Sequence, residues 1–406
     1  MRSTLQFLTS NSNWLAAGAL LTFIGSFGQT FFISVFAGEI QAAFDLSHGS
    51  WGAIYAIGTT AAAAIMVWAG GLTDKYRARS LGVISVGGLG LACLFMAFNA
   101  YVLLLPLVVL GLRLMGQGMS THIAIVAMAR WFVATRGKAL AIAMLGVAVG
   151  EMILPVLFVF LLEFVDWRLL WIGAACVCFA SLPLLRHLLK TERVPNADAN
   201  EDQRAGIGDH HWTRAEAFRH PLFWCIVPAI LGLSAFGTAL LFHQVHFSAI
   251  KGISHLAFVS LLPIYTSVAI LSMIGSGIAL DRFGTQKMLP FYQLPLVIGF
   301  VVFATGQGIP AMALAFALVA LTAGSNSTLP NAFWADAYGT AHIGSIKAMA
   351  TAVMVLGSAL GPFLTGILID FGVGLETQYI GVAVYFLFTT ALLYHGVTRY
   401  FVGQTA

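Results

Sequence analysis

Charge is what this chain has least of. Asp, Glu, Lys and Arg make up 9% of its 406 residues and apolar residues 59%, a balance that soluble domains do not have and that suits the bilayer as solvent. With a formal charge of only +4, where the cations lie matters more than their sum, and nothing supports nucleic acid as a partner. Cysteine is scarce too. Cys93, Cys176, Cys178 and Cys225 all fall inside apolar stretches, so no extramembrane disulfide framework is expected, and Cys176 and Cys178 are too close for a redox C-x-x-C pair. Carboxylates deep in apolar runs are rarer still. Glu151 alone lies mid-run, which argues against a membrane-embedded enzyme needing paired acids or a nucleophile with its base. No metal or cofactor set is visible. The polar residues 1–13 precede a first apolar run of full spanning length, unlike the short apolar region of a secretory signal.

What the chain has is length of apolar run. Stretches of roughly 20 residues are needed to cross about 30 Å of hydrocarbon, and twelve occur, near 14–38, 50–72, 80–99, 102–130, 138–163, 168–189, 221–248, 255–280, 286–306, 309–334, 343–370 and 377–398. The expected fold is an all-α integral membrane protein with twelve transmembrane helices. One long polar stretch, Lys190 to His220, separates spans 6 and 7. It divides the chain into a six-helix bundle over 1–190, a linker over 191–220 and a second bundle over 221–406. Residues Trp212 to Phe218 suggest a short amphipathic helix on the membrane surface, and His210 and His211 read as solvated. With the N-terminus inside, seventeen of the twenty Lys and Arg residues fall on the cytoplasmic side, leaving Arg168 and Lys251 outside and Arg113 within a span. That asymmetry places both termini in the cytoplasm, in the cell's inner (plasma) membrane.

A short motif occurs twice. Gly70-Gly-Leu-Thr-Asp74-Lys75-Tyr-Arg77 ends span 2 and Gly277-Ile-Ala-Leu-Asp281-Arg282-Phe-Gly284 ends span 8, residue 277 standing against residue 70 at an offset of 207. Any inner loop carries cations, but two copies at equivalent places suggest homologous halves and a structured cytoplasmic gate made by Asp74, Lys75, Arg77, Asp281 and Arg282. Asp74 would accept from the free N–H groups of a neighbouring helix start. Spans 5 and 11 form a second matched pair: Gly146 with Gly150 and Gly357 with Gly361 each make a small-xxx-small face, with Pro155 or Pro362 following. Such small-residue faces pack helices closely, and in matching positions they suggest a bendable, moving interface.

Two ionisable residues stand apart from every loop. At 1.5 Å per residue, Arg113 in span 4 and Glu151 in span 5 both lie near mid-membrane, where a charge is by default a functional candidate. Each is the other's natural partner. Paired, they form a structural clamp; parted during a cycle, Arg113 can hold a substrate anion and Glu151 can carry a proton. Gln117, one turn after Arg113, shares its face, and Gln29 with Thr30, Tyr55, Tyr265, Ser267, Asn326, Ser327 and Asn331 add polar groups that either bond between helices or line a cavity. His122 lies deeper on span 4. His243 and His246, near the outer end of span 7, share a face but lack a carboxylate or thiol for a metal.

Asp74 and Asp281 with their surroundings, Arg113-Leu-Met-Gly-Gln-Gly118 and the Gly361-Pro362 segment resemble motifs of the major facilitator superfamily over essentially the whole chain. The resemblance implies two six-helix bundles that rock about a central site, lined by spans 1, 4, 7 and 10, with spans 2, 5, 8 and 11 at the bundle interface. Arg77 stands where that family has glycine, so a different turn is expected there. Phe27-Gly-Gln-Thr30, the loop from Arg130-Trp-Phe132 to Arg136-Gly137 and Asp336-Ala-Tyr-Gly339 look, more loosely, like the monocarboxylate transporter and oxalate-formate antiporter branch. Span 8 carries no charge before Asp281 and span 11 only Lys347, so an anionic substrate rests on Arg113. The expected function is secondary transport of a small organic solute, a monocarboxylate in the first instance, by alternating access. The substrate-contact candidates are Arg113, Gln117, Gln29, Asn326 and Asn331, and Glu151 is the candidate for coupling to a proton or counter-anion. The chain would act as a monomer with the lipid bilayer as its other partner. An exporter of lipophilic drugs is the alternative, and a transport-like sensor a more distant one.

Overall fold

The structure, a computed structural model, describes residues 2–132, 135–191 and 205–401, with side chains from residue 6 onward. It divides into two compact units, Met1–Asn200 and Glu201–Ala406. Arg193, Arg204 and the rest of linker residues 192–204 lie outside the described residues.

In the first unit, α1 is a broken helix, Ser12–Gly28 and Thr30–Phe44, bent by 46°. It is followed by α2 (His48–Lys75), α3 (Ala78–Phe98), α4 (Val102–Trp131), α5 (Arg136–Leu162) and α6 (Trp167–Leu188). The second unit has α7 (Pro221–Phe242, continued by Gln244–Ile250), α8 (His255–Phe283), α9 (Thr285–Thr305), α10 (Gly308–Tyr338), α11 (Ile343–Asp370) and α12 (Leu375–Phe401). Among the described residues, eleven of these are long and apolar enough to cross a membrane, and the bent α1 makes twelve. The fold is therefore the all-helical, twelve-span one that the apolar runs imply.

Local chemistry sets the ends. The Ser47 and Asp166 side chains accept from the backbone N–H of Ser50 and Arg168 at the starts of α2 and α6, satisfying donors that a helix start leaves free. At the end of α8 the second motif copy turns through Gly284 at φ +76°, a left-handed conformation that costs glycine nothing. Arg77 in the first copy stays extended, at φ −66° and ψ 140°. The turn does differ, because a residue with a Cβ takes a route that avoids positive φ.

The two cations left outside by the charge count cap equivalent helix ends. Arg168 donates to the carbonyls of Ala97 (2.9 Å) and Asn99 (2.6 Å) at the end of α3. Lys251 donates to those of Ala304 and Gly306, each at 3.0 Å, at the end of α9. Ala304 stands against Ala97 and Gly306 against Asn99 at an offset of 207, the offset of the duplicated motif. Lys251 also pairs with Glu376 at 2.6 Å, its own side chain buried and that of the glutamate 44% exposed. Lys251→Met leaves two carbonyls and a half-exposed carboxylate without their donor, and should cost about 3 kcal/mol. Glu376→Gln, which leaves the lysine its carbonyls, should cost about 1 kcal/mol or less. Thermal unfolding in detergent checks the ranking; equal losses would contradict the capping role.

The end of the linker packs on the second unit. Trp212 donates its backbone N–H to the Tyr338 carbonyl (3.3 Å), and its ring meets Tyr338 edge-on, with centroids 5.6 Å apart. The short helix Arg214–Arg219 starts with a capping box between Thr213 and Glu216 and buries Ala217. The helix expected to lie on the membrane surface therefore has a protein neighbour, because Ile207, Trp212 and Ala217 join the core below it. His210 is likewise engaged, with Glu216 at 3.3 Å. Hydrogen bonds from the Thr213 backbone and hydroxyl, then from His210, hold the exposed Glu216 carboxyl below its usual range.

Candidate functional site

The first unit builds its site where two irregular helices cross. In α1 the segment Ser26–Gly28 tightens into a 3₁₀ turn, Gln29 is extended (φ −83°, ψ 154°), and Thr30 restarts the helix. In α4 the segment Arg113–Ser120 widens into π-helical geometry. Such breaks release backbone groups that must find partners inside a membrane. The Met115 carbonyl finds two, the hydroxyls of Ser85 and Ser120, each at 2.8 Å. Glycines permit the crossing. A side chain on Gly28 would overlap the Leu112 carbonyl and the Gly116 backbone.

Arg113 opens the π segment and is 3% exposed. Its Nη1 donates to the Thr30 hydroxyl (3.2 Å) and, more weakly, to the Gly28 carbonyl (3.4 Å) at the break in α1. The guanidinium carbon lies 5.3 Å from the centroid of the Tyr55 ring on α2, and the Tyr55 hydroxyl is 2.5 Å from that of Thr30. Nε is buried with no acceptor. The partners described for Arg113 are thus on α1 and α2, and Glu151 is not among them. The wide π turn sets the arginine against α1 and α2, while Glu151 follows Gly150 on α5. Glu151 is half-buried. Gln29 and Gln117 are half-buried too, and among the described residues their side-chain amides make no hydrogen bonds. Thr30 and Tyr55, weak signals in the sequence, are the residues that hold the arginine.

The second unit interrupts the corresponding helices. Between the two parts of α7, His243 leaves helical geometry (φ −94°, ψ 20°) and its Nε2–H donates to the Pro362 carbonyl at 3.0 Å. A buried histidine at an inner break (3% exposed) differs from the interfacial one expected, and Pro362 thereby gains an intrabundle partner. In α10 the helix breaks at Ser327 and Thr328. Asn326 accepts from the Tyr292 hydroxyl (3.2 Å), while exposed Asn331 donates to the Ser327 carbonyl in its own turn (2.8 Å). Tyr292 and Asn326 adjoin a buried set in which Gln293 donates to the Ala229 carbonyl and accepts from Thr389. Both asparagines are thus bonded to their own unit. The signal for this network was Gln293, a lone amide inside apolar span 9.

The glycine faces of α5 and α11 lie inside each unit. Gly146 sits against the Ala19 carbonyl and Thr22 on α1, and Gly150 against Ser26. Gly357 and Gly361 sit against Leu231, Ser234 and Ala235 on α7. Thr22 donates to the Ala143 carbonyl and Ser234 to that of Met354, both at 2.5 Å, in each case three residues before the first glycine. These stripes seat α5 on α1 and α11 on α7, so the packing they make is internal to each unit and not the moving interface expected. Without side chains there, hydroxyl-to-backbone bonds can form between the helices.

At the motif ends the copies diverge. Asp74 pairs with Arg130 at the end of α4, Oδ1 to Nη2 at 2.6 Å, with side chains 72% and 41% exposed. Arg130 also donates to the Thr73 carbonyl at 3.0 Å. The partner of Asp74 is thus a guanidinium and not a helix start. In the second unit the end of α10 carries Asp336 instead, which accepts from the Thr285 hydroxyl at 2.6 Å. Asp281 is exposed and makes no ion pair among the described residues, as is true of Lys75 and Arg77. Arg282 lies over the Phe283 ring, 5.4 Å from its centroid.

The sequence matches the family model of the Major Facilitator Superfamily over residues 18–362. No curated protein matches it. Among solved structures, the fold is similar to that of a bacterial homologue of the human lysosomal transporter Spinster, in its inward-facing and unoccupied conformation. That match has 16% identity and a TM-score of 0.72, and covers 97% of this chain and 98% of the other. It is also similar to the nucleoside transporter NupG, at 14% identity and a TM-score of 0.71 over 96% of this chain and 99% of the other.

Proposed function

The chain belongs to the Major Facilitator Superfamily, and from that premise we propose that this multi-pass membrane transporter moves a small organic anion, a monocarboxylate in the first instance. The observation that carries the reading is Arg113, a guanidinium buried in a span with, among the described residues, no carboxylate paired to it and no acceptor for Nε. An uncompensated charge at low dielectric is costly and is stabilised by an anion that arrives with its own hydrogen-bond acceptors. Thr30 and Tyr55 orient the guanidinium, and the unbonded amides of Gln29 and Gln117 supply donors and acceptors for the rest of the solute. Asn326 and Asn331 would contribute only by exchanging their present bonds.

Glu151, on the helix that packs against broken α1, is the proposed coupling group, carrying a proton or balancing the substrate charge. The Asp74–Arg130 and Asp336–Thr285 contacts are the proposed cytoplasmic gate. Lys75, Arg77 and Arg282 add charge around it, and Asp281 is free to engage at another stage of alternating access. The segregation of cations supports cytoplasmic termini and residence in the inner (plasma) membrane.

The test is uptake into proteoliposomes of labelled monocarboxylates of one to four carbons, with uridine and tetraphenylphosphonium as neutral and cationic comparators. Saturable monocarboxylate uptake is expected. Transport of uridine or the cation with no carboxylate uptake would overturn the anion reading.

A further inference from the structure

A cleft of about 160 Å³ opens in the first unit where α2 and α4 end and α3 begins. Leu81, Ile123 and Val126 contribute its apolar lining, Tyr76 and Trp131 its aromatic groups, and Arg77 and Arg130 its charge. Lying at the shared ends of three apolar spans, two finishing and one starting, it is at the depth of lipid headgroups, where tyrosine and tryptophan concentrate. Beside it the end of α2 exposes large apolar side chains, Val67, Trp68 and Leu72, which suit acyl chains.

The charges of the cleft do not cancel. Arg130 is matched by Asp74, whereas Arg77 makes no ion pair or side-chain hydrogen bond with any described residue. One positive charge is left over, above an apolar lining. The corresponding place in the second unit lacks both arginines, with Gly284 in the turn and Asp336 at the end of α10, although Arg282 and Lys287 flank that turn. The pair of arginines at the turn and at the end of α4 therefore occurs in the first unit only.

We propose that this cleft binds one anionic phospholipid, its phosphodiester accepting from the Arg77 and Arg130 guanidiniums while its glycerol and first acyl segment lie over Tyr76, Trp131 and the exposed end of α2. A phosphodiester monoanion matches the excess charge. It also matches the fork geometry of guanidinium, which binds phosphate oxygens in pairs. The site is separate from the anion site at Arg113 and does not depend on the substrate assigned there.

The test uses the full chain in detergent, with phosphatidylglycerol or phosphatidylcholine added, and reads the thermal midpoint and the retained lipid by native mass spectrometry. Phosphatidylglycerol should raise the midpoint more than phosphatidylcholine does. A guanidinium at the membrane surface contributes about 1 kcal/mol toward an anionic lipid, so Arg77→Gln should weaken phosphatidylglycerol binding about fivefold. Arg77→Lys should fall between, and Lys75→Gln, which removes a neighbouring exposed charge, should leave binding within about twofold. Millimolar inorganic phosphate should not reproduce the shift, since it brings nothing to cover the apolar lining. Arg77 makes no cap bond at the start of α3, so the variant's midpoint without added lipid should equal that of the parent. Equal phosphatidylglycerol binding by Arg77→Gln and the parent, an equal loss in Lys75→Gln, or a full shift with inorganic phosphate would each overturn the proposal.

Discussion

Arg113→Gln is expected to lower transport of the anionic substrate by about two orders of magnitude, the loss of a charge-assisted hydrogen bond of roughly 3 kcal/mol to a buried group. Folding should not suffer with it. The guanidinium is 3% exposed, makes no ion pair among the described residues and leaves Nε unbonded, so removing its charge relieves a desolvation cost. The variant's thermal midpoint should equal or exceed that of the parent. A substrate anion should raise the midpoint of the parent and leave that of the variant unchanged, because only a ligand that binds the folded state stabilises it. Arg113→Lys keeps the charge but loses the planar fork held by Thr30 and Tyr55, and should retain about a tenth of the activity. Were Arg113→Gln to unfold at lower temperature while transporting normally, the arginine would be a structural clamp.

The second large effect is expected at a residue with no side chain. Gly28→Ala should cost about 3 kcal/mol or more, because the added carbon meets backbone on both sides, the Leu112 carbonyl and Gly116, and backbone cannot turn aside as a flexible side chain can. Gly361→Ala should cost a similar amount in the second unit, where the obstacle is the Ala235 backbone. Gly381→Ala on α12 is the control, since a Cβ there meets nothing within 4 Å. It should leave stability within about 1 kcal/mol of the parent. The folded fraction by size exclusion and the thermal midpoint in detergent give the comparison. Tolerance of alanine at residue 28 would mean that α1 and α4 do not cross as closely as described.

Both expectations concern places where helices depart from regularity, and this is where sequence reasoning lost its hold. Apolar run lengths marked the spans, because the thickness of hydrocarbon acts on each run separately. α1 read as one continuous run, and its break at Gln29 left no trace beyond a lone amide. The π segment of α4 was equally silent, although Arg113 within it was the clearest polar signal in the chain. The matched glycines of spans 5 and 11 were visible as pairs, but the faces they meet, on α1 and α7, depend on how each helix is rotated in its bundle. Likewise, Asp74 advertised a partner, and nothing in its own loop indicated that the partner would be Arg130, 56 residues on.

The sequence by itself determined the solvent, the twelve apolar spans and the duplication, since these follow from composition, run length and an offset of 207 that can be counted along the chain. Tertiary structure alone decided the partners of each charge: Thr30 and Tyr55 for Arg113, Arg130 for Asp74, helix-end carbonyls for Arg168 and Lys251. The physical reason is one of range. The bilayer acts on every residue alike and writes its demand into local composition. A hydrogen bond holds over about 3 Å, and which groups come that close is fixed only when broken helices cross.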